Sequence, residues 1–317
     1  MLIGVQKCGT TTLYAQLVKG RTLYYLDKNK RKHFIVARGR KEKHYYDHLN
    51  PSRGEYLSLF PKCSPQAPCM PQSIHIDPTP NYINAPAFVP LSTELYGRKY
   101  FRNVRLIVLL RDPVARFQSA FYHAKSDWDL WGKNHLATLY QYNTSSLDQF
   151  PEKPDELTYA DFVEKAIVGM RRCVLHEGPF STSWNQMCYR NPMFLGMYKM
   201  QIDYLLRKYK LNQLIVVSFE WYVNNPHATM VALAKYLSLS ADPEPPSPRS
   251  GSAPLKVIIN SGSKKGKPAD ADVINANANA KLRAFYDTHG WTDLYANLCA
   301  KGIEVIPLCP FSLSHIS

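Results

Sequence analysis

Three stretches of the chain gather residue types that handle negatively charged groups. Residues 4 to 14 read GVQKCGTTTLY. Gly4 and Gly9 have the glycine spacing of the nucleotide-triphosphate loop G-x-x-x-x-G-K-[ST]. Here, however, Lys7 precedes Gly9, and Thr10, Thr11 and Thr12 follow it. A glycine turn that leads into a helix offers backbone N–H groups to a phosphate or sulfate, and Lys7 adds a point charge. Residues 111 to 123 read RDPVARFQSAFYH, with Arg111 eight positions before Ser119. Arginine supplies a planar bidentate fork for phosphate and serine a short hydroxyl donor. Taken alone, the stretch is equally a strand-ending arginine with a serine facing solvent. Residues 28 to 44 read KNKRKHFIVARGRKEKH, eight Lys or Arg against the single acid Glu42. Such a run is either a solvated basic loop or the border of a cleft for an anionic chain.

These residues need a scaffold. LIGV (2–5) is a short apolar run before the first glycine turn, and Leu13, Leu17 and Val18 fall on one side of a helix after it. SIHID (73–77) is a second candidate strand. VRLIVLL (104–110) reads as a strand buried on both faces, followed by a helix from Val114 to Ala124. LIVVSFE (214–220) repeats the pattern, with a helix over 226–237. Strands alternating with helices predict an α/β fold, a P-loop-like sandwich with a central, mostly parallel sheet flanked by helices. Ligands in such sheets lie beyond the carboxyl ends of the strands, where the first two anion stretches fall. Helical periodicity also runs over 159–170, 193–209 and 273–286, and NANANA (275–280) reads as helix surface. Residues 240–254 are rich in Pro and Ser, as in a surface loop.

The chain has 317 residues, enough for one large core or one core with a small appendage, and we expect a single domain over 1–317. The net charge of +14 favours polyanionic partners. Nucleic acid is possible on charge alone, but no recognition motif for it appears. No apolar run is long enough to span a bilayer, and no signal peptide precedes the first glycine loop. Of seven cysteines, Cys63 and Cys69, Cys173 and Cys188, and Cys299 and Cys309 are neighbours in sequence, leaving Cys8 alone. Proximity suggests disulfides 63–69, 173–188 and 299–309 and an oxidising compartment; the alternative is seven reduced thiols. No cysteine or histidine spacing fits a structural metal site. A glycosylation sequon starts at Asn143.

Together, GVQKCGTTTLY and LIVLLRDPVARFQSAFYH resemble the two cofactor signatures of the sulfotransferases, which use 3′-phosphoadenosine 5′-phosphosulfate (PAPS). The resemblance implies a 5′-phosphosulfate loop of Lys7, Cys8, Gly9, Thr10, Thr11 and Thr12. It implies a 3′-phosphate site of Arg111 and Ser119. GRKEKHYYD (39–47) resembles the K-E-x-H-[FY]-[FY]-D stretch of Golgi sulfotransferases that modify heparan sulfate and related glycans. That implies Glu42 as the base, Lys41 and Lys43 beside the acceptor, and a luminal, type II membrane location. DPTPNYI (77–83) resembles a segment lining the acceptor cleft, with Tyr82 in it. SGSKKGKP (261–268) resembles a late loop closing over the cofactor, with Lys264, Lys265, Gly266 and Lys267. LRAFYDTHGWTDLYANL (282–298) resembles the family's closing helix and tail. The chain departs from the heparan-type pattern at Asp77-Pro78, where a lysine is usual, and at Lys267-Pro268, where His-Pro is usual. It also starts at its first strand, so we expect a catalytic fragment whose stem and membrane anchor lie upstream.

These expectations combine into sulfuryl transfer to a hydroxyl (or amine) of a polyanionic carbohydrate acceptor. Glu42 accepts the proton, Lys7 stabilises the leaving phosphate, and no metal is required. His44 is a rival base or a structural partner, and Tyr45, Tyr46 and Tyr82 either stack on sugars or pack in the core. Two other readings remain open on the residues alone: a P-loop phosphotransferase, which would depend on a divalent metal, and a protein that binds acidic glycans without turning them over.

Overall fold

The computed structural model describes residues 1–19, 32–36, 42–47, 52–60, 69–129, 156–176, 191–239 and 270–309. The strands are Leu2–Gly4 (β1), Lys32–Val36 (β2), Cys69–Ile76 (β3), Leu106–Leu110 (β4), Leu214–Ser218 (β5) and Glu304–Ile306 (β6); β1, β3, β4 and β5 fall on the four apolar runs, whereas β2, inside the basic run, and β6 were not expected. Four of them form a sheet in the order β1-β4-β5-β6, with every pairing parallel. All of β4 is buried, as a central parallel strand covered on both faces must be. β2 and β3 pair in parallel as a second ladder. The two ladders meet just after β3, where the Leu2 N–H donates to the Asp77 carbonyl (3.0 Å). Further along, Ile83 lies against Gly4, where a Cβ would stand 3.0 Å from its side chain. The segment from Asp77 to Ile83 therefore runs beside β1 toward the first glycine loop.

Helices cover the sheet. Those between β1 and β4 are Thr10–Lys19 (α1), Arg53–Ser58 (α2) and Phe88–Phe101 (α3). After β4 come Pro113–Ser126 (α4), Tyr159–His176 (α5) and Tyr198–Leu205 (α6). Phe219–Asn224 (α7), Pro226–Tyr236 (α8), Ala271–Ile274 (α9), Ala276–Thr288 (α10) and Leu294–Ala300 (α11) complete the set. Leu13, Leu17 and Val18 bury the inner side of α1, as their spacing predicts. Asp112 caps α4 by accepting from the Ala115 N–H (2.8 Å), with Pro113 at the first helical position, the arrangement that ends a strand and starts a helix cleanly. One apolar core lies around the sheet, and a second joins α4, α5 and α10 through Phe117, Phe121, Phe162, Phe285 and Tyr286. Trp291 packs against both.

Four expectations change. The periodicity over 193–209 is broken into a 3-10 turn, Phe194–Gly196, and α6. Gly196 sits so close to Tyr286 that a Cβ would meet its ring at 2.7 Å. The periodicity over 273–286 divides at Asn275, whose buried side chain donates to the Tyr122 hydroxyl (2.9 Å). NANANA is thus not simply helix surface: Ala278 is buried, and Asn279 accepts from the Tyr159 hydroxyl (3.0 Å). Phe219 and Glu220 belong to α7 rather than β5, because Ser218 caps that helix through the Trp221 N–H (3.3 Å).

Cys299 and Cys309 are joined as a disulfide, and Cys8 is a free, buried thiol. The proposed pairs 63–69 and 173–188 each include a cysteine outside the described residues. Among the described residues no helix is long and apolar enough to cross a membrane.

Candidate functional site

The first glycine loop is built from backbone bonds. The Val5 N–H donates to the Leu109 carbonyl of β4 (2.9 Å), and the Cys8 N–H closes the turn on the Val5 carbonyl (3.1 Å). Lys7 (φ 70°) and Gly9 (φ 82°) both adopt left-handed backbone. Leu13 makes the first helical bond of α1, to Gly9 (3.0 Å). The N–H groups of Thr10, Thr11 and Thr12 thus precede the ladder and carry the positive end of the helix dipole. Gly9 is held to glycine twice over, because a Cβ there would also stand 2.8 Å from the Phe219 ring.

The second anion stretch touches the first. Arg111 Nη1 donates to the Lys7 carbonyl (3.3 Å). Its guanidinium lies 4.9 Å over the Phe219 ring, and its own carbonyl accepts from the Tyr198 hydroxyl (2.8 Å). Phe219 thus packs on both stretches, a role with no local signal in the sequence. Behind Arg111, Asp112 is paired with Arg283, and its N–H donates to Glu220 (3.0 Å). Ser119 is half-buried on α4. Arg116, three residues before it, is fully buried. It donates to the Pro192 carbonyl, while its Nε and Nη1 have no hydrogen-bond partner among the described residues.

Cys8 needs correction as a binding residue. Its N–H is engaged by Val5 and its thiol is fully buried. Burial pushes the thiol up to about 12, with Arg116 and Arg111 pulling against it. It is a core residue, neither reactive nor a donor to the loop mouth.

The candidate base lies on a different support. Glu42 pairs with His44, Oε2 to Nε2 at 3.4 Å, both side chains about one-third exposed (32% and 37%). His44 also has left-handed backbone (φ 55°). Of the non-glycine residues described, only Lys7, His44 and Ser238 do. Such backbone is uncommon and costs about 1 kcal/mol or more, so something must hold it. What holds it is a hydrogen-bond network. The Lys43 and His44 N–H groups donate to Thr79 Oγ1 (2.9 and 3.4 Å), and the Tyr45 N–H donates to the Tyr82 hydroxyl (2.9 Å). Thr79 and Tyr82 in turn donate to Asp77, at 2.7 and 2.9 Å, and Tyr56 donates to it as well, at 2.9 Å. Burial raises Asp77 above the usual carboxylate range, and these three hydroxyls pull against that rise. Burial also lowers Lys43, with Asp77 opposing it.

Tyr82 is therefore not a surface for stacking sugars. It is fully buried, lies parallel to Phe88 at 5.4 Å and spends its hydroxyl on Asp77 and Tyr45. Tyr45 and Tyr46 are likewise buried, with Tyr45 stacked on Tyr56 at 4.3 Å. Aromatic rings supplied core area here rather than a binding face. Lys41, Asn143, Lys264, Lys265, Gly266 and Lys267 lie outside the described residues. Among the described residues no group of three His, Cys, Asp or Glu could hold a metal ion.

The two groups of residues differ in chemistry. Lys7, Arg111 and the start of α1 are brought together as donors, with Ser119 further along α4, which suits a ligand carrying several negative charges. Glu42 and His44 can accept a proton. Among solved structures, a sulfotransferase from Alicyclobacillus acidocaldarius is similar at 16% identity, with a TM-score of 0.48, covering 90% of this chain and 94% of that one. No curated protein sequence matches. The model of the sulfotransferase domain matches residues 1–250, most of the chain and both anion stretches, and the protein belongs to that family.

Proposed function

We propose that the protein transfers the sulfuryl group of PAPS to a hydroxyl of a polyanionic carbohydrate chain, with Glu42 as the proton acceptor. Membership of the family implies sulfuryl transfer with PAPS as donor; the acceptor and the residue roles are our reading. The observation that carries it is the bond from Arg111 to the Lys7 carbonyl, which makes one donor-lined site of two distant stretches. Lys7 and the N–H groups of Thr10, Thr11 and Thr12 hold the 5′ end of the donor and stabilise the charge that develops there. Arg111 and Ser119 hold the 3′-phosphate. Glu42 takes the acceptor's proton as the new S–O bond forms and the bond to the 5′-phosphate breaks, leaving the 3′,5′-bisphosphate. His44 orients Glu42 from 3.4 Å. Positioning and electrostatics then supply most of the rate.

Lys43 and the basic run upstream support an acidic acceptor chain. The Cys299–Cys309 bridge supports an oxidising compartment, in line with the Golgi lumen. The test is calorimetric titration with 3′-phosphoadenosine 5′-phosphate in EDTA, alongside Lys7→Ala and Arg111→Ala. We expect metal-free binding that both variants weaken, then transfer from PAPS to unsulfated chondroitin or heparan chains that Glu42→Gln abolishes. Transfer to small phenols but to no glycan would overturn the carbohydrate reading. Wild-type turnover in Glu42→Gln would remove Glu42 as the base.

A further inference from the structure

We propose that Asp77, a buried residue that cannot touch substrate, is the positioning residue that sets the Glu42 segment relative to the Lys7 loop. The inference rests on the reading of Glu42 given above. Asp77 is 1% exposed and has two separate attachments. Its carbonyl accepts the Leu2 N–H (3.0 Å), which ties it to β1 and so to the strand that leads into the Lys7 loop. Its carboxylate accepts from Thr79, Tyr82 and Tyr56.

The direction of these bonds is forced. A backbone N–H can only donate. The N–H groups of Lys43, His44 and Tyr45 therefore use lone pairs of Thr79 Oγ1 and the Tyr82 hydroxyl. Each hydroxyl has one hydrogen, and in each case Asp77 is the acceptor that takes it. The carboxylate thus orients two buried hydroxyls, and these orient three consecutive amides directly after Glu42. Those amides flank the left-handed backbone of His44, a conformation the chain would not hold unsupported. An amide side chain at position 77 breaks the relay. Its NH₂ would face hydroxyl hydrogens, and a hydroxyl that turned away would present its hydrogen to a backbone N–H. Either result leaves a buried donor unmet, which is costly.

The experiment compares the wild type with Asp77→Asn, Thr79→Val and Glu42→Gln. Three quantities are read: affinity for 3′-phosphoadenosine 5′-phosphate, amide hydrogen exchange, and turnover of PAPS with unsulfated chondroitin and heparan chains. For Asp77→Asn we expect donor-product affinity within about twofold of wild type, and kcat down about tenfold or more at unchanged KM for PAPS. The amides of residues 43–45 should exchange about tenfold faster while those of the Lys7 loop stay protected. Thr79→Val should show the same pattern more weakly. Unchanged protection at 43–45 in Asp77→Asn overturns the inference. So does a parallel loss of nucleotide binding, which is the mark of a general structural role. If Glu42→Gln is inactive and Asp77→Asn turns over normally, the inference falls and the reading of Glu42 stands. If Glu42→Gln is fully active, that reading falls while exchange still decides whether Asp77 sets the segment. If the wild type sulfates neither chain, the carbohydrate acceptor falls, and exchange and nucleotide binding decide the inference.

Discussion

The proposed donor end and the proposed acceptor end of the site are held by different kinds of bond. At the donor end the loop between β1 and α1 is fixed by main-chain groups: Val5 to Leu109, Cys8 to Val5 and Leu13 to Gly9. Even Arg111 reaches it through the carbonyl of Lys7 rather than its side chain. At the acceptor end the main chain of Lys43, His44 and Tyr45 is held by side chains, all of which converge on Asp77. Main-chain geometry tolerates most side-chain changes but fails where a position admits only glycine. A side-chain network fails when a single atom changes its hydrogen-bonding role. The first kind of support fits the role proposed for the Lys7 loop, and the second makes the proposed proton-accepting segment depend on one buried carboxylate.

The sharpest way to break this contrast is Gly9→Ala. A left-handed φ and a Cβ 2.8 Å from Phe219 should together cost about 2–4 kcal/mol and weaken nucleotide binding severely. Thermal unfolding and calorimetry check it, and near-normal binding would mean the loop is not governed by its backbone. Next comes loss of the Cys299–Cys309 bridge, which closes a loop of sequence separation 10 at the edge strand β6. Cys299→Ser with Cys309→Ser should cost about 2–3 kcal/mol and lower the melting temperature by several degrees, about 2–4 °C per kcal/mol. Both ends of the site should keep their function, since the bridge supports neither. Tyr56→Phe is gentler. It keeps the stacking on Tyr45 but removes one donor to Asp77, for about 1–2 kcal/mol. It should slow turnover while leaving nucleotide affinity alone; a fall in affinity would blur the separation between the ends.

The smallest effect concerns Asp203, far from both ends in sequence and held by Lys199 and Lys301 at 2.7 Å each. Burial raises its pKa, but the two lysines more than offset this and leave it lowered. A lowered folded value means stability that is present above the unfolded carboxylate pKa and lost as pH falls through the folded one. With the carboxylate 37% exposed, Asp203→Asn should cost only about 0.5 kcal/mol near neutrality. The difference from wild type should vanish in acid, as denaturant melts at a series of pH values would show.

Much of the donor end was legible in the sequence because its determinants are local. Apolar runs that end in a glycine turn or in Arg-Asp-Pro must become strands that stop there, and Lys7, Gly9, Thr10 and Arg111 lie within a few residues of those stops. The spacing of Leu13, Leu17 and Val18 likewise specified the buried face of α1. The strand β2 lay inside the basic run 28–44, where charge masked its apolar residues, and β6 is three residues with no glycine turn after it to mark it. Periodicity continued across Gly196 and Asn275 where the helices do not, because a ring from another helix crowds the first and a distant tyrosine engages the second.

The acceptor end was legible only in part. Glu42 stood out as the lone acid in a basic run, yet Asp77 read merely as a departure from a pattern, and Tyr82 as either a ring for sugars or a core side chain. Their packing depends on contacts that close over distance: Tyr56 with Asp77 at a separation of 21 residues and Tyr45 with Tyr82 at 37; at the other end the bond from Arg111 to Lys7, at 104, is equally out of reach of local reading. The sequence by itself determined the alternation of strands and helices and the cationic and donor-rich character of two stretches, since hydrophobic period and charge belong to neighbouring residues. Only the tertiary structure decided which hydroxyl is buried against which carboxylate and which ring fills the space beside a glycine. Burial and hydrogen-bond direction belong to pairs of residues that the chain brings together only after it has folded.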